Sequence, residues 1–415
     1  MNHNCNAKKL IISALILIGL ITCTSEQILN IDDSIEYPPE IASIIHTQCA
    51  ISGCHNSLSY QGAAGLDMTN WQTLFNGSRA GAIVIPYRPD FSTLCYYTNT
   101  DTTNGITLQP TMPVNASPLS KLTYQKIVNW IQNGAPNKKG IVKFADYINK
   151  TKLYIANRGC DVITVMDPNT GLAMRYVDVG NNANIEAPCM IKVSPDKQYW
   201  YVIFNQGDII QKFRTADNTK VGELNIGNGI WGTLKLQMIQ KAFISDVNFN
   251  GRVLYINIES MQLISTYNIG LRYPLGITIN KGDNKLYITA KEGNYIYSLN
   301  ISNPLLPIIK EISLEPNIPI STNPTLNPYQ IILNADESKY YITCTKASEL
   351  RVLNTSNDSV VDIYSTGSNP TELQLSITNG YLFVSCLGIP TTNRKSSIQV
   401  FDTTKQTIIA DICWS

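Results

Sequence analysis

The chain has 415 residues, 15% of them charged, and a net charge of +1. That balance leaves no basic field for nucleic acid and no acidic, solvated tail. Twenty-two tyrosines against three histidines mark a β-rich composition short of imidazole, and the length suits a small domain beside a large repeat domain.

Residues 1–22 have the layout of an export signal. Lys8 and Lys9 precede an apolar run from Leu10 to Ile21 that is too short to span a bilayer comfortably. The run closes as Leu20-Ile21-Thr22-Cys23, which resembles a bacterial lipobox. The resemblance implies lipidation at Cys23 and, with Thr24 rather than Asp following, anchoring to the outer membrane, on its periplasmic or its surface face. Ordinary cleavage and an uncleaved anchor are the alternatives. Residues 23–37 are polar and aperiodic, a tether. Export permits thiol oxidation, and eight cysteines remain after Cys5 and Cys23 are set aside.

Residues 38–138 are expected to form a small, mainly α domain. Pro38-Pro39 opens a helix with Ile41, Ile44 and Ile45 at helical spacing, and this helix runs into Cys49. A last helix, N-capped by Thr123, carries Ile127, Val128, Trp130 and Ile131 and stops at Gly134, with Pro136 beyond. Between them lies Cys49-Ala50-Ile51-Ser52-Gly53-Cys54-His55. Two cysteines followed directly by a histidine suit covalent haem attachment, in which the thiols add to the vinyl groups and the imidazole binds iron. The usual spacing is two residues; here it is four, with Gly53 relaxing the longer loop.

From 141 to 415 the period changes to short strands and turns, with an internal repeat of about 42–54 residues. Its core recurs as Leu153-Tyr154-Ile155-Ala156-Asn157, Trp200-Tyr201-Val202, Ala242-Phe243-Ile244-Ser245, Leu286-Tyr287-Ile288-Thr289, Tyr340-Tyr341-Ile342-Thr343 and Leu382-Phe383-Val384-Ser385. Strands opening at Pro188, Pro274, Pro328 and Pro370 precede most copies. These residues resemble the YVTN-type β-propeller repeat, which implies an all-β propeller of six or seven blades. A β-sandwich array is the alternative.

After the Cys-Cys-His motif come Gly65-Leu66-Asp67-Met68, Val84-Ile85-Pro86, Pro110-Thr111-Met112-Pro113 and the Trp130 helix. This order resembles the planctomycete-type cytochrome c domain. The resemblance implies one haem c, held by Cys49 and Cys54 as thioethers, with His55 and Met112 as the axial iron ligands. Met68 and His46 are rival distal ligands, and Tyr124 and Trp130 are expected near the haem edge. A Cys49–Cys54 disulfide or a zinc site is the alternative use of the motif. Cys344–Cys386 and Cys160–Cys189 are candidate disulfides.

Every histidine lies before residue 56, so the propeller holds no histidine-ligated metal or haem. The expected function is that of an exported mono-haem c-type cytochrome lipoprotein, transferring electrons, with the propeller as docking surface for a redox or surface partner, and with no catalytic residues of its own. One alternative is a non-enzymatic surface-binding or scaffold lipoprotein whose small domain is structural or senses haem or redox state. Another is a propeller-based redox enzyme.

Overall fold

The computed structural model describes residues 36–144, 150–237, 240–268, 270–315, 324–376, 378–389 and 395–413. The export signal, Cys23 and the tether up to residue 35 lie outside the described residues. Among the described residues no helix is long and apolar enough to cross a membrane. The chain divides into two compact units: the described residues up to 144 with 171–174, and the remaining described residues from 150 onward.

The first unit has four α-helices: α1 (Pro39–Gln48), α2 (Trp71–Leu74), α3 (Thr93–Thr98) and α4 (Lys121–Gln132). Long segments of turns join them, so the unit is loop-rich rather than the mainly α domain expected from the two helical patterns. The cause is local chemistry: glycine, proline, asparagine and serine crowd residues 49–70 and 99–120 and favour turns. Helix α1 starts on Pro39, where the missing N–H costs nothing, and buries Ile41, Ile44 and Ile45. Helix α4 buries Tyr124, Ile127, Trp130 and Ile131. Its cap is Ser120, whose Oγ accepts the Thr123 N–H at 3.1 Å, so Thr123 lies inside the first turn instead of capping it. The Trp130 indole donates to the Pro136 carbonyl at 2.9 Å and the Trp71 indole to the Ala135 carbonyl at 2.8 Å. Both bonds fasten the chain leaving α4 to the apolar core.

The second unit is a six-bladed β-propeller. Its first sheet has three strands, β1 (Leu153–Asn157), β2 (Val162–Asp167) and β3 (Leu172–Asp178). Five four-stranded sheets follow, each an antiparallel meander. The second comprises β4 (Pro188–Val193), β5 (Tyr199–Phe204), β6 (Ile209–Arg214) and β7 (Lys220–Asn225). The third comprises β8 (Trp231–Gln237), β9 (Lys241–Asp246), β10 (Val253–Asn257) and β11 (Gln262–Tyr267). The fourth comprises β12 (Pro274–Ile279), β13 (Lys285–Ala290), β14 (Tyr295–Asn300) and β15 (Ile308–Ser313). The fifth comprises β16 (Pro328–Leu333), β17 (Lys339–Cys344), β18 (Glu349–Asn354) and β19 (Val360–Ser365). The sixth comprises β20 (Pro370–Ser376), β21 (Tyr381–Cys386), β22 (Ser397–Asp402) and β23 (Thr407–Cys413).

The apolar core lies between sheets. Tyr201 and Ile210 of the second pack with Trp231, Leu234 and Ile244 of the third, and comparable clusters join every successive pair from first–second to fifth–sixth. Among the described residues no such cluster joins the sixth sheet to the first, and there Leu153, Ile155, Phe383 and Ile412 are exposed. The repeat core read from the sequence forms β1, β5, β9, β13, β17 and β21. The proline-led strands are β4, β12, β16 and β20, and β8 takes the same place with Trp231 leading.

Each of these five leading strands breaks register just after its first residue. The bulge frees a backbone N–H, and a hydroxyl on the neighbouring strand takes it up. Ser245 Oγ accepts from Thr233 N–H at 2.9 Å and donates to the Leu275 carbonyl of the next blade at 2.7 Å. Thr289 Oγ1 accepts from Gly276 N–H and donates to the Tyr329 carbonyl, both at 2.8 Å. Thr343 Oγ1 accepts from Gln330 N–H at 3.0 Å and donates to the Thr371 carbonyl at 2.7 Å. All three side chains are completely buried. The backbones come so close here that a Cβ on Gly276 would meet the Tyr329 carbonyl at 2.6 Å. Blade two has Ile203 at this position, and the Cys189 thiol supplies the link instead, donating to the Trp231 carbonyl at 3.3 Å.

Thr343→Val removes both bonds and keeps the shape. Stranding a buried N–H and a buried C=O lowers stability by about 2–4 kcal/mol, read as a lower urea midpoint, while Thr343→Ser retains most of it.

Candidate functional site

The first unit holds a cavity of about 510 Å³ whose lining is mostly apolar. Cys49, Cys54, His55 and Met112 all line it, as do Leu94, Tyr97 and Leu119. This volume falls in the range of small-molecule and cofactor sites.

Helix α1 delivers Cys49. The residue is its C-cap, buried, with its N–H donating to the Ile45 carbonyl at 2.9 Å. The loop then turns back on itself: Cys54 N–H donates to the Ile51 carbonyl and His55 N–H to the Cys49 carbonyl, each at 3.1 Å. Gly53 has φ +81° with open space around it, so the four-residue spacing is absorbed by one left-handed residue that a side chain would strain. His55 is half-buried, and its Nδ1 lies 3.2 Å from the Leu66 carbonyl. A carbonyl only accepts, so Nδ1 is the donor, and in the neutral ring Nε2 keeps its lone pair. The Met68 N–H donates to the His55 carbonyl at 2.8 Å, tying the Leu66–Met68 segment to the motif.

Met112 comes from a separate stretch of chain. Helix α3 ends with orphan carbonyls; that of Tyr96 accepts from Leu108 N–H at 2.9 Å and that of Tyr97 from Met112 N–H at 2.8 Å. The flanking Gln109–Pro110 and Met112–Pro113 peptides are both cis. Thr93, the first residue of α3, also lines the cavity, and its Oγ1 is buried without a hydrogen-bond partner.

Burial pushes the Cys49 thiol up to about 12, with the charge of Cys54 adding to the effect. Burial likewise raises Cys95 to about 12, with Asp90 contributing. Cys95 lies in the apolar core on α3.

Of the other expected residues, Met68 also lines the cavity, and its backbone is bonded to the His55 loop. His46 is exposed, with Nε2 at 3.0 Å from the Thr69 carbonyl, and does not line it. Tyr124 and Trp130 pack in the apolar core, Trp130 edge-on to Tyr37, and neither lines the cavity. Among the described residues no three His, Cys, Asp or Glu side chains gather as a metal-binding set. All eight described cysteines are free thiols, including Cys344, Cys386, Cys160 and Cys189. Thr93, Tyr97 and the Leu66 carbonyl were not legible as site groups; the paired tyrosines beside Cys95 were the nearest signal.

At pH 8, maleimide is expected to label exposed Cys160 and Cys413 and half-buried Cys54 first, and Cys49, Cys95 and Cys344 only on unfolding. Peptide mass spectrometry reads the order.

No protein-family model matches the sequence, and no curated protein matches it. Solved structures share the fold. A functionally unknown protein from Desulfotomaculum acetoxidans is 13% identical with a TM-score of 0.52, over 63% of this chain and 80% of that one. Kuenenia stuttgartiensis hydrazine synthase is 15% identical with a TM-score of 0.50, over 61% and 80%. A streptogramin B lyase is 14% identical with a TM-score of 0.51, over 64% and 80%. At these identities the likeness establishes the fold alone, that of a β-propeller.

Proposed function

We propose that this chain is an exported, lipid-anchored c-type cytochrome that carries one haem in its first unit and transfers electrons, with the propeller as the surface that docks a redox partner or surface partner. The observation that carries the reading is the convergence of Cys49, Cys54, His55 and Met112 on one apolar cavity. The donor set fits the group. Two free thiols are available for thioether bonds, the Leu66 carbonyl holds His55 in the tautomer that presents Nε2, and Met112 contributes a thioether. Thr93 Oγ1 is a buried polar atom lacking a partner, as expected where a bound group with a polar edge completes the site. When bound, haem supplies reversible one-electron chemistry at iron. The chain's own part is to exclude water with Leu94, Leu119 and Ile83, to fix the imidazole, and to present sulfur, which favours the reduced state. Lipidation at Cys23 would hold the protein at the outer membrane.

The test is a pyridine haemochrome spectrum with intact mass on protein matured by export. Wild type is expected to show one covalent haem, Cys54→Ser to lose a thioether, and Cys49→Ser/Cys54→Ser to lose covalent haem altogether. Met112→Ala keeps the mass increment but lowers the reduction potential, by some part of the roughly 0.8 V that axial ligands command. A wild-type protein without haem sinks the proposal and favours the scaffold alternative.

A further inference from the structure

The leading strands of the propeller surround an axial cavity of about 390 Å³. Lys192 of β4 and Lys235 of β8 both line it, together with Thr233, Gln330, Glu372 and Gln374. Both lysines are half-buried. Neither enters an ion pair or a hydrogen bond among the described residues, whereas the two-cation cluster of Lys285 and Lys310 shares Asp358. The one carboxylate on the cavity, Glu372, is engaged by Gln330 Nε2 at 3.1 Å. Burial lowers the pKa of both ammoniums; the charge of Lys192 adds to the lowering of Lys235, and Glu372 offsets that of Lys192 only in part.

Two cations that feel one another in a recess, against one carboxylate, are a costly arrangement unless something negative completes it. Neutral amides and a hydroxyl around them supply further hydrogen-bonding groups without cancelling the charge. We propose that the propeller axis binds a small multivalent oxyanion, a phosphate or a polycarboxylate, between Lys192 and Lys235. Thr233, Gln330 and Gln374 complete its hydrogen bonding, and Ile277 and Phe383 close the wall. The site is independent of the first unit and of any haem there. It needs no histidine, in keeping with a propeller that has none.

The test is calorimetric titration of the full mature chain with inorganic phosphate and, separately, citrate, at constant ionic strength. Saturable one-to-one binding of at least one of them is expected, and comparing the two assigns the preference between phosphate and carboxylate. Lys192→Gln/Lys235→Gln weakens it roughly tenfold or more, the loss of charge-assisted hydrogen bonds. Glu372→Gln tightens it, since the internal carboxylate no longer competes while the amide oxygen still accepts from Gln330. This second variant keeps both lysines and stands as a test even where the double variant fails to fold. Absence of saturable binding by both anions, equal affinity in the lysine variant, or weaker binding in Glu372→Gln overturns the proposal.

Discussion

The buried hydroxyl that bridges two blades is the contact on which the propeller depends. A leading strand that bulges after its first residue exposes an N–H in a place water does not reach, and a serine or threonine one strand over accepts it. The same oxygen has one proton to give, and it gives it to the carbonyl of the next leading strand. Each such residue therefore satisfies its own blade and fixes the spacing to the following one, and the cores of aromatic and branched side chains fill in around that spacing. Where the hydroxyl is missing, in the second blade, a thiol on the leading strand makes the link. In the sixth blade Ser385 accepts the Glu372 N–H at 3.1 Å, and the exposed apolar side chains of the first and sixth sheets lie where the series of shared cores stops.

The same logic of orphan backbone groups builds the cavity of the first unit. A helix end supplies Cys49, another helix end supplies the two carbonyls that hold the Met112 segment, and a loop carbonyl orients His55. None of these contacts is strong singly. Together they set sulfur and nitrogen donors on one apolar recess, and burial there suppresses ionisation of Cys49. The axial cavity of the propeller has the opposite character, with charge in excess of its partners. The two sites differ because one is walled by turns and helix ends with aliphatic side chains, and the other by strand faces that alternate polar and apolar residues toward the axis.

Much of this was readable along the chain. The periodicity of Ile41, Ile44 and Ile45 marks α1, and the recurrence of pairs such as Leu286-Tyr287 and Tyr340-Tyr341 marks the second strand of each blade, because strand burial repeats every two residues and blade packing repeats every few dozen. Residues close in sequence, such as Cys49 and His55, also declare their relation. The extent of helix in the first unit was overread, since two clear helical stripes say nothing of the turn-forming residues between them. The strand opening at Trp231 lacked the proline that marks its equivalents, and its role emerged only from pairing. Trp130 and Tyr124 were expected near a haem edge; both lie in the apolar core of the first unit, and neither lines the cavity.

By itself the sequence determined which donors exist and where none do: a cysteine pair with its histidine near the start, methionines downstream, and no imidazole beyond residue 55. It determined the repeat and hence the kind of fold, since composition and period are properties of the chain. Tertiary structure decided which of those donors share a wall, that Met112 stands on the cavity by virtue of the Tyr97 carbonyl while His46 stands outside it, and that six blades are built. It also decided that Lys192 and Lys235, in different blades, lie at one recess. Such facts depend on backbone groups seeking partners across long separations, and a backbone N–H or C=O has no letter in the sequence.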